Sequence, residues 1–473
     1  MSPVTILEAL QDKNLLGQFL KDPATWRAWF ALLRAFFGLR PAKGDPGTFE
    51  QCTGRGRWPK TPAKEAWVIC GRRSGKSFLT ALLACFLAVF REYRLAAGET
   101  GYVIIVAPTK NQSNIVKKYL SSFFHENPFL KNLVVRETRE EIELSNRITI
   151  LILSSDFRSL RGYTAIAAIV DEVAFLLDEG SRPDYEVIRA LRPALATTGG
   201  PLIAISSPYA KRGALYTAWK AHYGQDGDPV LVWQAPSVLM NPTLSADAIE
   251  RAKKEDPEAA GAEWDAQFRA DIESFVSREA VEACVVPHRI EIPPSPERSY
   301  FAFVDPSGGS ADAFTLAIGH SEKGKRILDC VRERKPPFSP EAIVAEFSET
   351  LKQYRCSIVR GDRYAGEWPR ERFRQHGISY ETSQKTKSEL YLELLPLVNS
   401  GQAELLDHKG LVAQLVNLER RTGRSGKDSV DHPPHGHDDL ANAAAGVLVL
   451  QSQSQPGLFF LRPRQNDEWE AVT

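Results

Sequence analysis

Short apolar runs alternate with longer amphipathic stretches through the first half of the chain. The runs lie at residues 66–70, 102–107, 147–153, 165–170 and 202–206. Apolar segments of this length, separated by helical segments, are typical of the buried strands of a mostly parallel sheet with helices on both faces. The pattern therefore predicts an α/β domain.

The pattern changes on either side of this region. Residues 1–60 carry apolar side chains at helical spacing and then a loop rich in Gly and Pro, which predicts a helical lead-in segment before an α/β domain at 61–240. Residues 241–298 are helical and charged and end in a proline-rich stretch, which predicts a linker subdomain. Residues 299–473 begin with three successive predicted strands, followed by a helix, a strand and further helices. We therefore expect a second α/β domain there.

Composition narrows the class of protein. The chain has 473 residues with 59 basic and 59 acidic side chains, and 43% of its residues are hydrophobic. These values fit a globular protein and exclude a wholly disordered, collagen-like or uniformly basic chain. Six scattered cysteines without a CxxC pair favour reduced thiols over a zinc ribbon or a disulfide scaffold. The longest apolar run, 78–90, is shorter than the ~20 residues of a membrane helix, and no signal peptide is evident, so we expect a cytoplasmic protein with no membrane partner.

A glycine-containing loop separates the first predicted strand from an apolar helix. It reads Cys-Gly-Arg-Arg-Ser-Gly-Lys-Ser over residues 70–77, with Cys70 where a phosphate loop usually has its first glycine. Backbone N–H groups and the helix N-terminus can cradle phosphates, Lys76 can reach the β- and γ-phosphates, and the Ser77 hydroxyl can ligate Mg²⁺. The loop therefore predicts ATP binding by Gly71, Arg72, Arg73, Ser74, Gly75, Lys76 and Ser77.

Polar residues at the ends of two later strands suit the same chemistry. Asp171 ends one strand and can hold Mg²⁺ through water, while the adjacent Glu172 suits a general base for the attacking water. Two acids at a strand end are also common as a helix N-cap. Ser206 and Ser207 end another strand, where they could sense hydrolysis or simply form a turn.

Arginine and glutamine side chains supply further candidates. Arg72, Arg73, Arg158 and Arg161 could stabilise charge on the transferred phosphoryl group, in cis or from a neighbouring subunit. An ordinary surface ion pair is the alternative for each of them. Gln51 is a candidate contact to adenine.

The second domain carries carboxylates at strand ends and at a helix start. Asp305 follows its first strand, Asp362 ends a later strand, and Asp438 and Asp439 open a helix of small residues. Three such carboxylates on this order of strands and helices suit a ribonuclease-H-like nuclease that holds two Mg²⁺ or Mn²⁺ ions about 4 Å apart. Whether Asp439 or Asp312 also ligates a metal is open.

Two other features leave their interpretation open. Residues 431–437 read Asp-His-Pro-Pro-His-Gly-His, and their prolines favour a loop that delivers Asp438 over a zinc site. Basic residues concentrate at 51–77, 383–387 and 409–427, where they could contact DNA phosphates or form a solvated surface.

Taken in order, these motifs resemble one known family. GRRSGKS, VAPTKNQS, SLRGY, IVDE and ISSP, followed by VDPSGGSADAF, VRGDRYAG and HDDLANA, are similar to the large terminase subunit of tailed bacteriophages, or of a related prophage or gene-transfer agent. The resemblance implies a P-loop additional-strand ATPase that translocates double-stranded DNA into a procapsid, and a nuclease that cuts concatemeric genomes. Motif by motif, it implies phosphate and Mg²⁺ binding by Lys76 and Ser77, metal support by Asp171, a base at Glu172 and a nuclease triad of Asp305, Asp362 and Asp438.

The same resemblance implies partners and a location. The expected partners are DNA, a portal protein, a small terminase subunit and further copies of the chain in a ring, in the cytoplasm of an infected bacterium and transiently on the procapsid. A host helicase–nuclease is an alternative, but it would need a second motor domain, and no second set of motifs follows residue 240. A non-catalytic DNA-binding assembly module is another. A transposase or integrase would not need the phosphate loop.

Overall fold

The computed structural model describes residues 4–154, 162–176, 183–308, 312–362, 368–422, 428–434, 436–451, 460–463 and 469–472. The chain forms two compact units, Met1–Glu273 and Ser274–Thr473. Each unit carries its own sheet and one of the two predicted sites.

The first unit is an eight-stranded sheet with helices. Its strands are Glu65–Cys70 (β1), Gly101–Ala107 (β2), Val134–Glu137 (β3), Glu141–Leu144 (β4), Ile148–Ser154 (β5), Thr164–Asp171 (β6), Leu202–Ser206 (β7) and Val230–Ala235 (β8). Its helices are Ile6–Gln11 (α1), Arg27–Phe36 (α2), Asp45–Thr53 (α3), Lys76–Val89 (α4), Lys110–Glu126 (α5), Pro128–Lys131 (α6), Pro183–Ala196 (α7), Gly213–His222 (α8), Ser237–Met240 (α9), Ala246–Glu255 (α10) and Pro257–Glu263 (α11). A short strand, Ile272–Ser274 (β9), lies where the units divide in sequence.

Strand order decides where the polar strand ends meet. The order across the sheet is β3-β4-β5-β2-β6-β7-β1-β8, and every pair from β5 to β8 is parallel. Alternate residues of β1 enter different apolar clusters, with Val68 in one and Trp67 and Ile69 in the other, so both faces of the sheet are covered. The predicted α/β organisation is confirmed here. The prediction omitted β8, whose apolar run contains the polar Gln234.

The units do not divide at residues 60, 240 and 298, where the sequence predicted boundaries. Apolar residues of α1 and α2 belong to the same core cluster as α4 and β2, so the lead-in segment is part of the first unit. Residues 241–273 also belong to this unit, whereas 274–298 belong to the second. The division into four segments stays a prediction.

The second unit is built on a six-stranded sheet in the order β14-β13-β10-β11-β12-β15. Its strands are Tyr300–Asp305 (β10), Phe314–Glu322 (β11), Lys325–Arg334 (β12), Ile358–Gly361 (β13), Ser379–Thr382 (β14), Ala403–Glu404 (β15), Glu419–Thr422 (β16), Asp428–Asp431 (β17), Phe460–Pro463 (β18) and Trp469–Val472 (β19). Its helices are Arg278–Cys284 (α12), Pro340–Gln353 (α13), Trp368–Gln375 (α14), Lys387–Asn399 (α15), Lys409–Asn417 (α16) and Asp439–Leu450 (α17). The first two strand pairs, β10 with β11 and β11 with β12, are antiparallel, while β10 pairs in parallel with β13 and β13 with β14.

Small residues allow α17 to lie close to the sheet. A methyl group at Gly446 would collide with the ring of Phe303 on β10. Ala443, Ala444 and Ala445 are likewise fully buried. This close approach places the start of α17 beside the end of β10, where the predicted carboxylates lie.

All six cysteines are buried and unpaired. Burial raises the pKa of each thiol, for example to about 12 for Cys52, Cys330 and Cys356. Among the described residues, no helix combines the length and apolar character needed to cross a bilayer.

Candidate active sites

The glycine-containing loop turns sharply between β1 and α4. Arg73 and Gly75 adopt left-handed backbone conformations, with φ of 60° and 99°. Glycine adopts this conformation without steric cost, and Gly75 is the residue immediately before α4. The turn therefore directs the first N–H groups of α4 towards the loop, the arrangement that binds anions.

Residues outside the predicted ATPase domain hold the loop by its main chain. The Trp29 indole N–H donates to the Ser74 carbonyl at 2.9 Å. The Asn241 side-chain amide donates to the Arg73 carbonyl at 2.8 Å. Two of the loop's carbonyls are therefore satisfied by side chains from these segments.

Gly71 is a position where no side chain fits. An added Cβ would collide with the Ser237 hydroxyl and lie 2.6 Å from the Glu263 carbonyl oxygen. The next side chain, Arg72, is 59% exposed and pairs with the Glu263 carboxylate at 3.1 Å. To act as the predicted charge-stabilising finger, the Arg72 guanidinium would have to leave this ion pair with Glu263.

Lys76 joins the loop to two strand ends. Its buried ammonium donates to the Gly71 carbonyl at 3.0 Å and to the Ser207 hydroxyl at 2.8 Å, and it lies 3.4 Å from a Glu172 carboxylate oxygen. The structure thus brings the predicted phosphate-binding lysine, base and strand-end serine together.

Glu172 follows β6 with a strained backbone. Its φ is 50°, a conformation that costs a non-glycine residue of order 1 kcal/mol or more. Its Oε2 accepts from the Ser206 hydroxyl at 3.1 Å and from the Ser207 backbone N–H at 3.0 Å. The side chain caps no helix, so the N-cap alternative is not what the structure shows.

Asp171 and Ser77, the two predicted Mg²⁺ ligands, share one partner. The Gln112 amide nitrogen lies 2.9 Å from Asp171 Oδ2 and 3.1 Å from Ser77 Oγ. Asp171 is fully buried, and burial, followed by the charge of Glu172, raises the pKa of its carboxyl.

Sequence reasoning gave Gln112 no role, although VAPTKNQS contains it. A signal was present, because this motif follows β2, and β2 is the parallel neighbour of β6. Carboxyl ends of parallel strands meet at one edge of a sheet, which brings the residues after β2 and β6 together.

One candidate lies apart from this site, and two others fall in a part of the chain that the structure does not describe. Gln51 is exposed on α3, and in the described part of the chain it makes no hydrogen bond or ion pair with the loop. Arg158 and Arg161 lie outside the described residues. An adenine contact and an arginine finger from these residues stay predictions.

The second unit holds a cavity of about 650 Å³ lined by aspartates. Asp305 ends β10, and Asp362 follows β13, the parallel neighbour of β10. The start of α17 adds Asp438 and Asp439, and Asp312 lies at the cavity wall. The structure therefore gathers all five predicted acids at one end of the sheet.

Crowding of these acids changes their ionisation. Burial, with the neighbouring Asp439, Asp438 and Asp362 charges, raises the pKa of Asp305 to about 8, against a hydrogen bond from Asn442 at 2.7 Å. Burial and the Asp438 charge raise the pKa of Asp439 to about 6. A site of this kind stabilises a cation.

Asn442 is a cavity residue that sequence reasoning missed. Its Nδ2 donates to Asp305 Oδ2, while its buried Oδ1 has no hydrogen-bond partner among the described residues. The signal was its position in HDDLANA, four residues after Asp438 and so near it on the helix.

Asp438 is held by α15. Lys387 Nζ lies 3.0 Å from Asp438 Oδ2 and 2.7 Å from Asp431 Oδ1, and the Tyr391 hydroxyl donates to Asp438 Oδ2 at 2.8 Å. Lys387 was predicted as part of a basic loop that could contact DNA. Instead it begins α15 and pairs with acids at the cavity.

The histidine-containing loop between β17 and α17 contributes ligand-type atoms. Asp431, His432 and Asp438 place one such atom each within 4.8 Å of one another. His437 Nδ1 lies 3.8 Å from Asp312 Oδ1. The loop leads directly into Asp438, as the sequence interpretation expected.

Some residues of the other predicted basic segments also have partners nearby. Buried Arg55 donates to the carbonyls of His222 and Asp228. Lys385 pairs with Glu393, and Arg420 pairs with Asp428. Arg424 and Lys427 lie outside the described residues. Donors of Arg55, Lys385 and Arg420 are therefore taken up by neighbouring carbonyls or acids, and a DNA contact by the predicted basic segments stays a prediction.

A comparison with protein families identifies the first site's context. Residues 68–280 match the family model described as "Terminase large subunit, T4likevirus-type, N-terminal". The resemblance to large terminase subunits is confirmed. The matched segment contains the glycine-containing loop, Asp171, Glu172 and the two serines at the end of β7.

Solved terminase structures are similar at low identity. The HK97 bacteriophage large terminase is 18% identical, with 82% of this chain and 91% of that chain covered and a TM-score of 0.38. The large terminase nuclease of thermophilic phage G20c with bound magnesium is 18% identical, with 37% and 98% covered and a TM-score of 0.33. A thermophilic bacteriophage large terminase in complex with ADP is 14% identical, with 81% and 92% covered and a TM-score of 0.33. No curated protein matches the chain.

Proposed function

We propose that the protein is the large subunit of a viral DNA-packaging motor. In this proposal it hydrolyses ATP to translocate double-stranded DNA into a procapsid and cuts concatemeric DNA with a two-metal nuclease. The observation that carries the proposal is that the terminase-matched segment contains a formed phosphate loop beside Glu172, and a carboxylate-lined cavity follows in the same chain.

Strand order supports an additional-strand ATPase. β7 lies between β1, which leads into the loop, and β6, which ends in Asp171. Ser206 and Ser207 at the end of β7 therefore lie between the loop and Glu172. This position supports the proposed role of the two serines in coupling hydrolysis to motion.

The loop's donor set fits a nucleotide with Mg²⁺. The Ser77 hydroxyl and the Asp171 carboxylate offer oxygen ligands joined by one amide, and Lys76 offers a buried ammonium for phosphate oxygens. When bound, Mg²⁺ would offset charge on the β- and γ-phosphates. The turn from β1 into α4 presents the N–H groups of the helix N-terminus, which would bind the phosphates.

Glu172 is the proposed general base for ATP hydrolysis. The Ser206 hydroxyl and the Ser207 N–H fix one carboxylate oxygen, and the other faces the Lys76 ammonium. An oriented carboxylate at this point can accept a proton from water that attacks the γ-phosphate. Arg72, Arg73, Arg158 and Arg161 stay candidates for the stabilising arginine.

The second unit supports a ribonuclease-H-like nuclease. The three antiparallel strands β12, β11 and β10, with β13 parallel to β10, support this proposal, as do the acids at the ends of β10 and β13 and at the start of α17. The sheet also contains β14, parallel to β13, which the sequence did not predict.

The cavity's donor set fits divalent metal. Carboxylates of Asp305, Asp362, Asp438 and Asp439 are the oxygen ligands that Mg²⁺ and Mn²⁺ prefer. Asn442 Oδ1, which has no hydrogen-bond partner among the described residues, is a further acceptor at this site. When bound, the metals would activate water and stabilise the leaving oxygen.

The proposed partners follow from the proposed task. DNA, a portal protein, a small terminase subunit and a ring of copies on the procapsid are expected, in the cytoplasm of the infected host.

A packaging assay tests the proposal. Purified protein would be mixed with portal-bearing procapsids, double-stranded DNA and ATP, and DNA protected from nuclease would be measured. We expect protected DNA only when portal, ATP and an intact Glu172 are all present. Protection that does not require the portal would contradict a packaging motor and favour a host repair enzyme or an assembly module.

A further inference from the structure

An ammonium group stands among the acids of the nuclease cavity. Lys387 lines this cavity, and its Nζ lies 3.0 Å and 3.3 Å from the two oxygens of Asp438. The same nitrogen lies 2.7 Å from Asp431 Oδ1. One side chain therefore contacts a proposed metal ligand and a second acid outside the proposed triad.

Helix α15 fixes this ammonium in place. Thr386 and Glu389 form reciprocal hydrogen bonds that cap the helix start. The hydroxyl of Tyr391, one turn after Lys387, donates at 2.8 Å to Asp438 Oδ2, the oxygen nearer to the Lys387 ammonium. Residues four apart lie on one helix face, so the lysine and the tyrosine approach Asp438 together.

Lys387 faces two carboxylates at close range. The side chain is 29% exposed. A lysine ammonium is ordinarily charged at neutral pH, and oxygens of Asp438 and Asp431 lie 3.0 Å and 2.7 Å from its Nζ.

We propose that Lys387 is a positioning residue that acts as a resident counter-cation of the nuclease centre, orienting Asp438 and competing with divalent metal for its carboxylate. This inference rests on the proposed nuclease function. It also accounts for the close approach of Asp431 and Asp438, which together with His432 form a group of ligand-type atoms. The Lys387 ammonium contacts the carboxylates of both aspartates.

The direction in which metal affinity changes when the Lys387 ammonium is removed distinguishes a counter-cation from a purely structural contact. A counter-cation lowers the negative charge available to a metal, so its removal should tighten metal binding. The carboxylate would at the same time lose a partner that orients it, so turnover should fall. Loss of a purely structural contact would weaken metal binding and turnover together.

Mn²⁺ titration of the full-length chain tests the proposal. Free Mn²⁺ would be measured by electron paramagnetic resonance, and nicking of supercoiled plasmid would be followed in parallel. Lys387→Met should bind Mn²⁺ about tenfold more tightly and nick about tenfold more slowly at saturating metal, the scale typical of residues next to metal ligands. Lys387→Arg keeps the charge and should keep the parent affinity for Mn²⁺.

Two variants serve as controls. Lys385→Met removes a neighbouring lysine that pairs with Glu393 and should change neither quantity. Asp305→Ala identifies the binding that belongs to the nuclease cavity. If the parent and Asp305→Ala bind Mn²⁺ equally, the proposed metal centre itself fails, and this inference with it. If binding depends on Asp305 but Lys387→Met leaves the affinity unchanged or weaker, the counter-cation role alone is overturned.

Discussion

One amide group connects the two proposed Mg²⁺ ligands of the first unit. Gln112 Nε2 donates to Ser77 on α4 and to Asp171 at the end of β6. A single NH₂ group has two hydrogens, so it can serve both oxygens and leave each a lone pair. Gln112 thereby sets the spacing of the hydroxyl and the carboxylate.

We expect Gln112→Met to raise the Mg²⁺ concentration needed for half-maximal ATP binding about tenfold or more. Methionine keeps the length of the side chain but cannot donate, and partners of metal ligands commonly matter on this scale. The measurement is a Mg²⁺ titration with a fluorescent ATP analogue. Asn111→Ala, at the exposed preceding residue, is the control and should match the parent. Equal shifts in both variants would show only a general disturbance of α5.

At the scale of elements, α2 supports the glycine-containing loop through a hydrogen bond to the loop's main chain. Trp29 is buried, and its indole N–H is the donor to the Ser74 carbonyl. The same helix belongs to the core cluster that contains α4. The lead-in segment therefore supports the loop that we propose binds nucleotide.

Trp29→Phe should weaken nucleotide binding and destabilise the first unit by about 1–3 kcal/mol, because it leaves a buried carbonyl without its donor. The affinity and the thermal midpoint would be measured with and without nucleotide. Trp26→Phe is the matched control, since Trp26 packs against Phe78 and Trp29 and donates no hydrogen bond to the loop among the described contacts. A loss of equal size in both variants would contradict a specific role for the indole N–H.

The sequence predicted helices and strands better than it predicted side-chain contacts. Apolar runs predicted β1, β2, β6 and β7, and acids at strand ends predicted the two candidate sites. The partners of these acids were missed, because Gln112 lies 59 residues from Asp171 and Lys387 lies 51 residues from Asp438 along the chain. Their proximity comes from strand order and helix packing, which no local pattern specifies. β8 and β14 were also missed, since short strands with polar residues resemble loops.

At the scale of the whole molecule, each unit contains a complete set of candidate residues. Lys76, Asp171 and Glu172 belong to the first unit, and Asp305 and Asp438 to the second. The chain has 59 basic and 59 acidic groups. Among the described residues, some of the basic side chains pair with acids of their own unit. This arrangement predicts activities that can be removed one at a time.

Glu172→Gln should lower ATP hydrolysis by about 10²-fold or more, since a neutral amide cannot serve as the base, and should leave metal-dependent plasmid nicking intact. Asp305→Ala should do the reverse. Both activities would be assayed on the same preparations of full-length protein. Loss of both activities in either variant would contradict independent sites.

The burial of all six cysteines has a practical consequence. Thiol reagents attack the thiolate, and every native thiol is both enclosed and held in its protonated form. A single cysteine introduced at an exposed position would therefore react with a maleimide dye far faster than the native six. Fluorophores could then be attached to either unit without first removing native cysteines, and motion during ATP turnover could be followed in a protein that is otherwise unaltered.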